Sequence, residues 1–107
     1  MASNDTDNEF LKKMTKVIED NISNSDLSVA FLAEELGISR SGLFAKIKAI
    51  ADITPNEMIQ IIRLKRAAAL LREGKYLISE VGYNVGFSNP SYFSKCFLKQ
   101  FGVRPVD

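Results

Sequence analysis

The sequence predicts an all-α protein in which two helix-turn-helix subdomains are joined by one long central helix. Three observations support this prediction: apolar residues recur at helical spacing, a helix, glycine turn and helix follow one another twice, and residues 54–74 are apolar on nearly every side. A helix that is apolar around most of its circumference has protein packed on more than one flank. We therefore place residues 54–74 between the two subdomains.

Composition limits the possible classes of function. The 107 residues are enough for one domain or two very small lobes. There is no histidine and only one cysteine, Cys96, so neither a thiol nucleophile with its base nor a zinc site is indicated. We expect no enzymatic activity, no cofactor and no bound metal. No apolar run approaches the ~20 residues that span a bilayer, and the lack of a disulfide framework favours a reducing cytoplasm.

The net charge of +1 is unevenly distributed along the chain. Residues 1–26 carry six acids and three lysines, giving −3, whereas residues 27–107 carry eleven bases and seven acids, giving +4. The basic excess is small, so charge alone does not decide between a nucleic acid and a protein as partner.

The first helix is predicted to begin after Thr6, which forms a capping box with Glu9, and to end near Ile22. Its apolar residues follow helical spacing: Phe10, Met14, Val17 and Ile18. Its outer face is acidic and is interpreted as a solvated surface.

A short second helix and a longer third helix form the first helix-turn-helix unit. Ser28 is the predicted N-cap of the second helix, and Gly37 is predicted to adopt the left-handed conformation of a tight turn. Ser39 then caps the third helix, which runs from Arg40 to about Ala51.

The central helix carries its own start and stop signals. Thr54 and Glu57 form a predicted capping box around Pro55, which suits the first turn, and Gly74 is predicted to end the helix. About 19 helical residues at 1.5 Å each give a length of roughly 28 Å.

The second helix-turn-helix unit repeats the first. Leu43 and Ile47 match Phe93 and Phe97 with a shift of 50, and the turn glycines match with a shift of 49. Asn89 is the predicted N-cap of the last helix, which has Pro90 at its first position and runs to about Phe101. Gly82 inside the preceding helix predicts tight packing against a neighbour.

The outward faces of the third and last helices suit insertion into a DNA major groove. With the matched apolar residues facing inward, small, hydroxylic and basic side chains point outward: Ser41, Ala45, Lys48, Ser91, Lys95 and Lys99. Such side chains permit close approach, and lysine or arginine reads guanine. No acid occurs between Arg40 and Ala51 or between Asn89 and Phe101.

Three stretches resemble the DNA-binding domain of AraC/XylS-type transcription regulators: LAEELGISRSGLFAKIKAI, TPNEMIQIIRLKRAAALL and ISEVGYNVGFSNPSYFSKCFLKQFGVRP. The resemblance covers about residues 8–105, and the last stretch is highly specific. The opening EFLKKMTKVIEDNISN and the segment LFAKIKAI look like the output domain of hybrid two-component regulators, which fuse a sensor histidine kinase, a receiver and such a domain. The resemblance implies a homeodomain-like fold of six to seven helices and a double-stranded DNA partner.

The resemblance also implies which residues contact DNA. Base or groove contacts would come from Arg40, Ser41, Phe44 and Ala45 in the first unit and from Pro90, Ser91, Tyr92 and Lys95 in the second. Phosphate contacts would come from Lys48, Lys75, Asn89, Lys99 and the amide ends of helices near Ser39 and Ile78.

Two departures from the family pattern affect these expectations. Family members often have a large polar or basic residue where this chain has Gly42 or Ala45, so the first recognition helix is expected to read fewer bases than the second. The family continues past the position of Pro105 into a seventh helix, whereas this chain ends at Asp107. That difference indicates a truncated fragment or a very short native end.

Several residues also have a purely structural interpretation. Phe44 and Tyr92 could be core aromatics, and Arg63 and Arg66 are expected to pair with an acid such as Glu34, Glu35 or Glu80 rather than with phosphate. Cys96 is expected to be buried without a redox role.

The expected organisation is a disordered or added end (1–6), a first lobe (7–53), the central helix (54–74) and a second lobe (75–107). The main functional hypothesis is sequence-specific binding of two adjacent major-groove segments by a transcription regulator's output domain. Its expected place is the bacterial cytoplasm, at the nucleoid, with a parent protein that could be membrane-anchored. The alternative is a module that docks RNA polymerase or a receiver domain, which the small net charge and the acidic first helix favour.

Overall fold

The computed structural model describes residues 5–105, and in this range the chain forms six α-helices and no strand. The helices are α1 (Asp5–Asp20), α2 (Val29–Leu36), α3 (Arg40–Ala51), α4 (Pro55–Glu73), α5 (Ile78–Asn84) and α6 (Pro90–Phe101). The all-α prediction is confirmed, with the pairs α2–α3 and α5–α6 before and after α4 in the chain. Residues 1–4 of the expected disordered end lie outside the described range.

The first helix begins earlier than the sequence signals predict. Asp5 is already helical, so Thr6 lies in the first turn, and the prediction that it caps the helix is wrong. The acids Asp5 and Asp7 in that turn complement the positive end of the helix dipole. The helix ends at Asp20, and the Asn21 side-chain amide donates a hydrogen bond to the carbonyl of Val17 at 2.8 Å.

The chain divides into two compact units. The first comprises the residues up to Asn21 together with Leu27–Ile59, and the second comprises Ile22–Asp26 together with the chain from Gln60 onward. The turn at Ile22–Asp26 therefore belongs with the second unit, although its neighbours in sequence belong with the first. The predicted division into 7–53, 54–74 and 75–107 stays a prediction.

In the first unit, α2 packs against both α1 and α3. The buried apolar side chains come from all three helices, the turn before α2 and the start of α4: Met14, Ile18, Leu27, Leu32, Ala33, Leu36, Leu43, Ile47 and Ile59. The ammonium group of Lys46 lies 4.9 Å from the centre of the Phe10 ring, a cation–π contact that also joins α3 to α1. These contacts fix the orientation of α3.

The second unit has a core of aromatic and aliphatic side chains from α4, α5, α6 and the turn between α5 and α6. Its buried members are Leu64, Ala67, Val81, Val85, Phe87, Phe93, Cys96 and Phe97. The Phe93 ring lies 5.2 Å from that of Phe87 and 5.9 Å from that of Phe97, distances typical of favourable tilted and edge contacts. This aromatic cluster holds α6 by one face.

The predicted ends of the central helix are confirmed. The Thr54 hydroxyl accepts a hydrogen bond from the Glu57 N–H at 3.1 Å, and the Glu57 carboxylate accepts one from the Thr54 N–H at 2.9 Å. Gly74 follows the helix with φ +70°, the left-handed conformation that ends helices. Residues Pro55–Ile59 of α4 belong to the first unit and the remainder to the second.

Candidate nucleic-acid interface

The first candidate element is α3, whose start is set by the two residues that the sequence singles out. Gly37 has φ +71°, and its N–H donates to the carbonyl of Glu34 at 3.1 Å, closing α2. The Ser39 hydroxyl accepts a hydrogen bond from the Gly42 N–H at 3.0 Å and so caps α3. Both predictions are confirmed, and the turn between them fixes where α3 begins.

The side chains of α3 separate into a buried face and an exposed face. Leu43 and Ile47 are fully buried, as predicted. The exposed residues include every candidate for base or groove contact on this helix: Arg40, Ser41, Phe44 and Ala45. Phe44 is 43% exposed, so it is not a core aromatic. Its position leaves an apolar edge available to a partner.

Lys48 on the same face has a carboxylate partner that the sequence analysis missed. Its Nζ lies 2.9 Å from the Asp52 carboxylate, and both side chains are largely exposed. Asp52 is the C-cap of α3 with φ +57°, and its N–H donates to the Lys48 carbonyl at 2.9 Å. The hydrogen bond and the charge of Asp52 raise the pKa of the Lys48 ammonium group. A phosphate that approaches Lys48 must therefore compete with this carboxylate.

The second candidate element is α6, whose cap is also confirmed. The Asn89 Oδ1 accepts a hydrogen bond from the Tyr92 N–H at 3.0 Å, and Pro90 occupies the first helical position. Because Oδ1 caps the helix, the NH₂ group of Asn89 is the part of that side chain suited to a phosphate oxygen. Phe93 and Phe97 face inward and are buried.

The outer face of α6 carries all of its predicted contact residues. Pro90, Ser91, Tyr92, Lys95 and Lys99 are exposed. No acidic residue occurs in this helix. The face is therefore basic and hydroxylic, as expected for contact with an anionic partner.

The Tyr92 side chain lies at the boundary between the exposed face of α6 and the buried core. Its side chain is 55% exposed, and its ring lies 6.0 Å from that of Phe87 in a tilted arrangement. A hydrogen bond with Cys96 raises the pKa of the Tyr92 hydroxyl. The Cys96 thiol is buried, as expected.

The turn at Ile22–Asp26 is held by an arginine, Arg63, whose partner differs from the one expected. The Arg63 guanidinium donates a hydrogen bond to the backbone carbonyl of Asn24 at 2.6 Å. Its Nε is buried without a hydrogen-bond partner among residues 5–105, and burial lowers the pKa of the side chain. The expectation that Arg63 pairs with an acid is wrong, because its place beside the turn at Ile22–Asp26 offers it a carbonyl instead.

At two positions of the second unit a residue larger than glycine would be too close to its neighbours. A Cβ on Gly82 would lie 2.9 Å from Cδ2 of Phe93, which confirms the predicted tight packing of α5 against α6. A Cβ on Gly86 would collide with the carbonyl oxygen of Ile22 and would lie 2.9 Å from Cζ of Arg63. These close approaches position α6 within the second unit.

The remaining predicted phosphate contacts lie near the start of α5. Lys75 is exposed in the segment between α4 and α5, and Ile78 is the first residue of α5. The Glu80 carboxylate accepts a hydrogen bond from the Leu77 N–H at 2.8 Å and so places a negative charge at this helix start. A phosphate that approached the N–H group of Ile78 would be repelled by this carboxylate.

Two kinds of feature are absent from residues 5–105, a metal-binding cluster and a membrane-spanning helix. Between residues 5 and 105 no group of His, Cys, Asp and Glu side chains could hold a metal ion. None of the helices in this range combines the length and the apolar character needed to cross a bilayer.

Comparison with known proteins identifies similar domains in bacterial regulators. Residues 32–107 match the family described as a helix-turn-helix domain. The chain is 54% identical over 99 residues to histidine kinase P4 of Formosa agariphila, covering 92% of this chain and 7% of that protein. It is 32% identical over 96 residues to the transcriptional activator AggR of Escherichia coli, covering 90% of this chain and 36% of that protein.

A solved structure extends the similarity to the fold. The crystal structure of a transcriptional regulator with an AraC-type DNA-binding domain, from Chromobacterium violaceum, matches with a TM-score of 0.85 at 28% identity. The match covers 95% of this chain and 90% of that chain. By contrast, the chain spans only 7% and 36% of the lengths of the kinase and the activator.

Proposed function

The chain belongs to the AraC-type helix-turn-helix domains, the DNA-binding domains of transcription regulators, and we propose that α3 and α6 are its two recognition helices. This proposal rests on the local features that α3 and α6 have in common. Each helix buries two apolar residues four apart and exposes a face without acids to solvent. Each also follows a left-handed glycine turn and a side-chain cap.

The base and groove contacts are assigned to the exposed residues at the start of each helix. The set consists of Arg40, Ser41, Phe44, Ala45, Pro90, Ser91, Tyr92 and Lys95. Arginine and lysine donate to the O6 and N7 acceptors of guanine, hydroxyls accept or donate to any base edge, and apolar carbons contact the thymine methyl. Because α3 offers Gly42 and Ala45 where a longer side chain would reach a base, α6 supplies the larger share of discrimination.

The phosphate contacts are assigned to residues that flank these faces: Ser39, Lys48, Lys75, Ile78, Asn89 and Lys99. Lysine side chains neutralise the phosphates of the DNA backbone. At the start of α3, the first N–H groups and the positive end of the helix dipole favour a nearby phosphate. Contacts of this kind supply affinity without sequence information.

We further propose that the two helices enter adjacent segments of one major groove. Successive segments on one face of B-DNA recur every 34–36 Å, and α4, with 19 residues, is roughly 28 Å long. The distance that the duplex requires is thus of the same order as the length of the connecting helix.

The parent protein is proposed to be a hybrid two-component regulator with this chain as its output domain. The 54% identity to a segment of a histidine kinase supports the assignment. In such a protein a receiver domain or RNA polymerase would be a second partner, with the acidic, exposed side of α1 as the candidate contact. The domain would act at the bacterial nucleoid, and its parent could be membrane-anchored.

A mobility-shift assay tests the DNA-binding proposal. The chain should shift duplexes enriched by selection at lower concentration than random duplexes of equal length, and both shifts should weaken as salt rises. A chain that shifts neither duplex at low salt would contradict DNA binding and favour the protein-interaction alternative.

A further inference from the structure

A groove in the second unit lies beside the proposed recognition face of α6. It has a volume of about 500 Å³ and is lined by residues of α6, by the first residue of α5 and by the segment that follows α6. Pro90, Ser91, Ser94, Lys95 and Leu98 form the α6 side. Arg104 and Pro105 form the opposite side, together with Ile78.

The course of the chain after α6 explains how Arg104 reaches this groove. Gly102 ends α6 in the left-handed conformation, with φ +76°, and its N–H donates to the Leu98 carbonyl at 2.8 Å. The chain reverses there, as is usual after a left-handed C-cap. Pro105 is buried, and a residue before proline is restricted to extended conformations. Arg104 is thereby held alongside α6 with its side chain exposed.

The lining has the chemistry of an anion site. Lys95 and Arg104 bring two positive charges, and Ser91 and Ser94 bring two hydroxyl donors. No acidic side chain is among the described residues that line the groove. Arginine binds phosphate through two parallel N–H groups, which adds geometric fit to charge.

We propose that this groove receives a phosphate group of the bound duplex and that Arg104 is a further phosphate-contacting residue of the domain. The inference rests on the proposed function of α6. It is supported by continuity, because Ser91 and Lys95 belong both to the groove and to the face assigned to the bases. A DNA strand that borders the major groove holding α6 passes beside that helix, where Arg104 lies.

The salt dependence of binding tests this role directly. Each phosphate neutralised contributes about −0.9 to the slope of log K against log salt concentration for B-DNA. Arg104→Gln should therefore reduce the steepness of this negative slope by roughly 0.9 and weaken binding to selected and random duplexes by the same factor. Arg104→Lys keeps the charge and should retain most of the slope.

Arg66→Gln is the matched control, since it removes the same charge from the same unit. Arg66 is exposed on α4 and does not line this groove. Its variant should keep the slope of the unchanged protein. Circular dichroism of all variants should show the same helix content.

The possible outcomes separate the inference from the function on which it rests. If the unchanged protein binds DNA and Arg104→Gln has the same slope, or both glutamine variants lose the same amount, the assignment of Arg104 is overturned. If the unchanged protein binds no duplex, the proposed function is overturned. A titration with inorganic phosphate followed by NMR supplies a further arm. If phosphate shifts the Arg104 resonances saturably while Arg104→Gln keeps the salt slope of the unchanged protein, the groove is a site for small anions. That result would also overturn the assignment of Arg104 to a DNA phosphate.

Discussion

The replacement of Gly86 by alanine should destabilise the second unit far more than the same change at Gly37 destabilises the first. The two glycines occupy the same place in the two repeats, and both have positive φ, +96° and +71° respectively. A Cβ on Gly37 would have no atom within 4 Å. A Cβ on Gly86 would collide with the Ile22 carbonyl oxygen and crowd the Arg63 guanidinium at 2.9 Å.

The magnitudes follow from these two environments. A left-handed conformation costs an L-residue about 1–2 kcal/mol, and the loss of freedom in the unfolded chain offsets roughly 0.4–1 kcal/mol of that. Gly37→Ala should therefore lower the free energy of unfolding by about 1 kcal/mol. Gly86→Ala adds an overpacking cost of about 1–3 kcal/mol, because a backbone carbonyl yields less than a flexible side chain. Its total cost should be about 2–4 kcal/mol.

Native-state hydrogen exchange in urea measures the two units separately. In Gly86→Ala the amides of α6 should lose protection while those of α3 keep it, and in Gly37→Ala the small loss should be confined to the first unit. Equal costs for the two substitutions would refute the close approach at Gly86. The result would also remove the reason for regarding this turn as the feature that positions α6.

Three further predictions concern individual side chains. Lys95→Ala should weaken binding to the selected duplex by about 1–3 kcal/mol and relax the base preference at one position. Lys99→Ala should instead weaken binding to all sequences and reduce the steepness of the salt dependence by about 0.9. Identical behaviour of the two variants in a salt-titrated binding assay would contradict these roles. Asp52→Asn keeps a residue type that tolerates a left-handed C-cap and frees Lys48 from its carboxylate. It should increase DNA affinity several-fold and return the pKa of Lys48, followed by NMR, towards its usual value; unchanged affinity would mean that Lys48 meets no phosphate. Cys96 should react with a thiol reagent only as fast as the second unit opens, since the side chain is buried, and rapid labelling of the folded protein would contradict that burial.

Local signals in the sequence were enough to predict most of the fold. Caps depend on residues three apart in the chain, so Ser39, Asn89 and the box at Thr54 are readable from sequence alone. The matched apolar pairs of α3 and α6 are likewise fixed by helical spacing, and all four residues are buried. Thr6 failed as a cap because nothing in its own sequence context excludes a further helical residue before it, and Asp5 also suits a helix start.

Contacts between distant parts of the chain could not be predicted in this way. Arg63 donates to a carbonyl 39 residues away, and a backbone carbonyl leaves no mark in the residue types around it. Arg104 lies beyond the last helix that the apolar spacing predicts, so helical periodicity gives no information about its position. The pair of Lys48 and Asp52 does have a signal, the spacing of four residues, yet spacing alone does not tell whether a surface pair forms. Which exposed residues meet bases stays a prediction, because exposure is shared by contacting and solvated side chains.

Selection of duplexes from a random pool, followed by sequencing of those that the chain retains, tests the central claim most directly. Two recognition helices in adjacent segments of the major groove require two conserved blocks whose centres lie about 10–10.5 base pairs apart, with the more stringent block assigned to α6. A single conserved block that survives replacement of the exposed residues of either α3 or α6 would contradict the account.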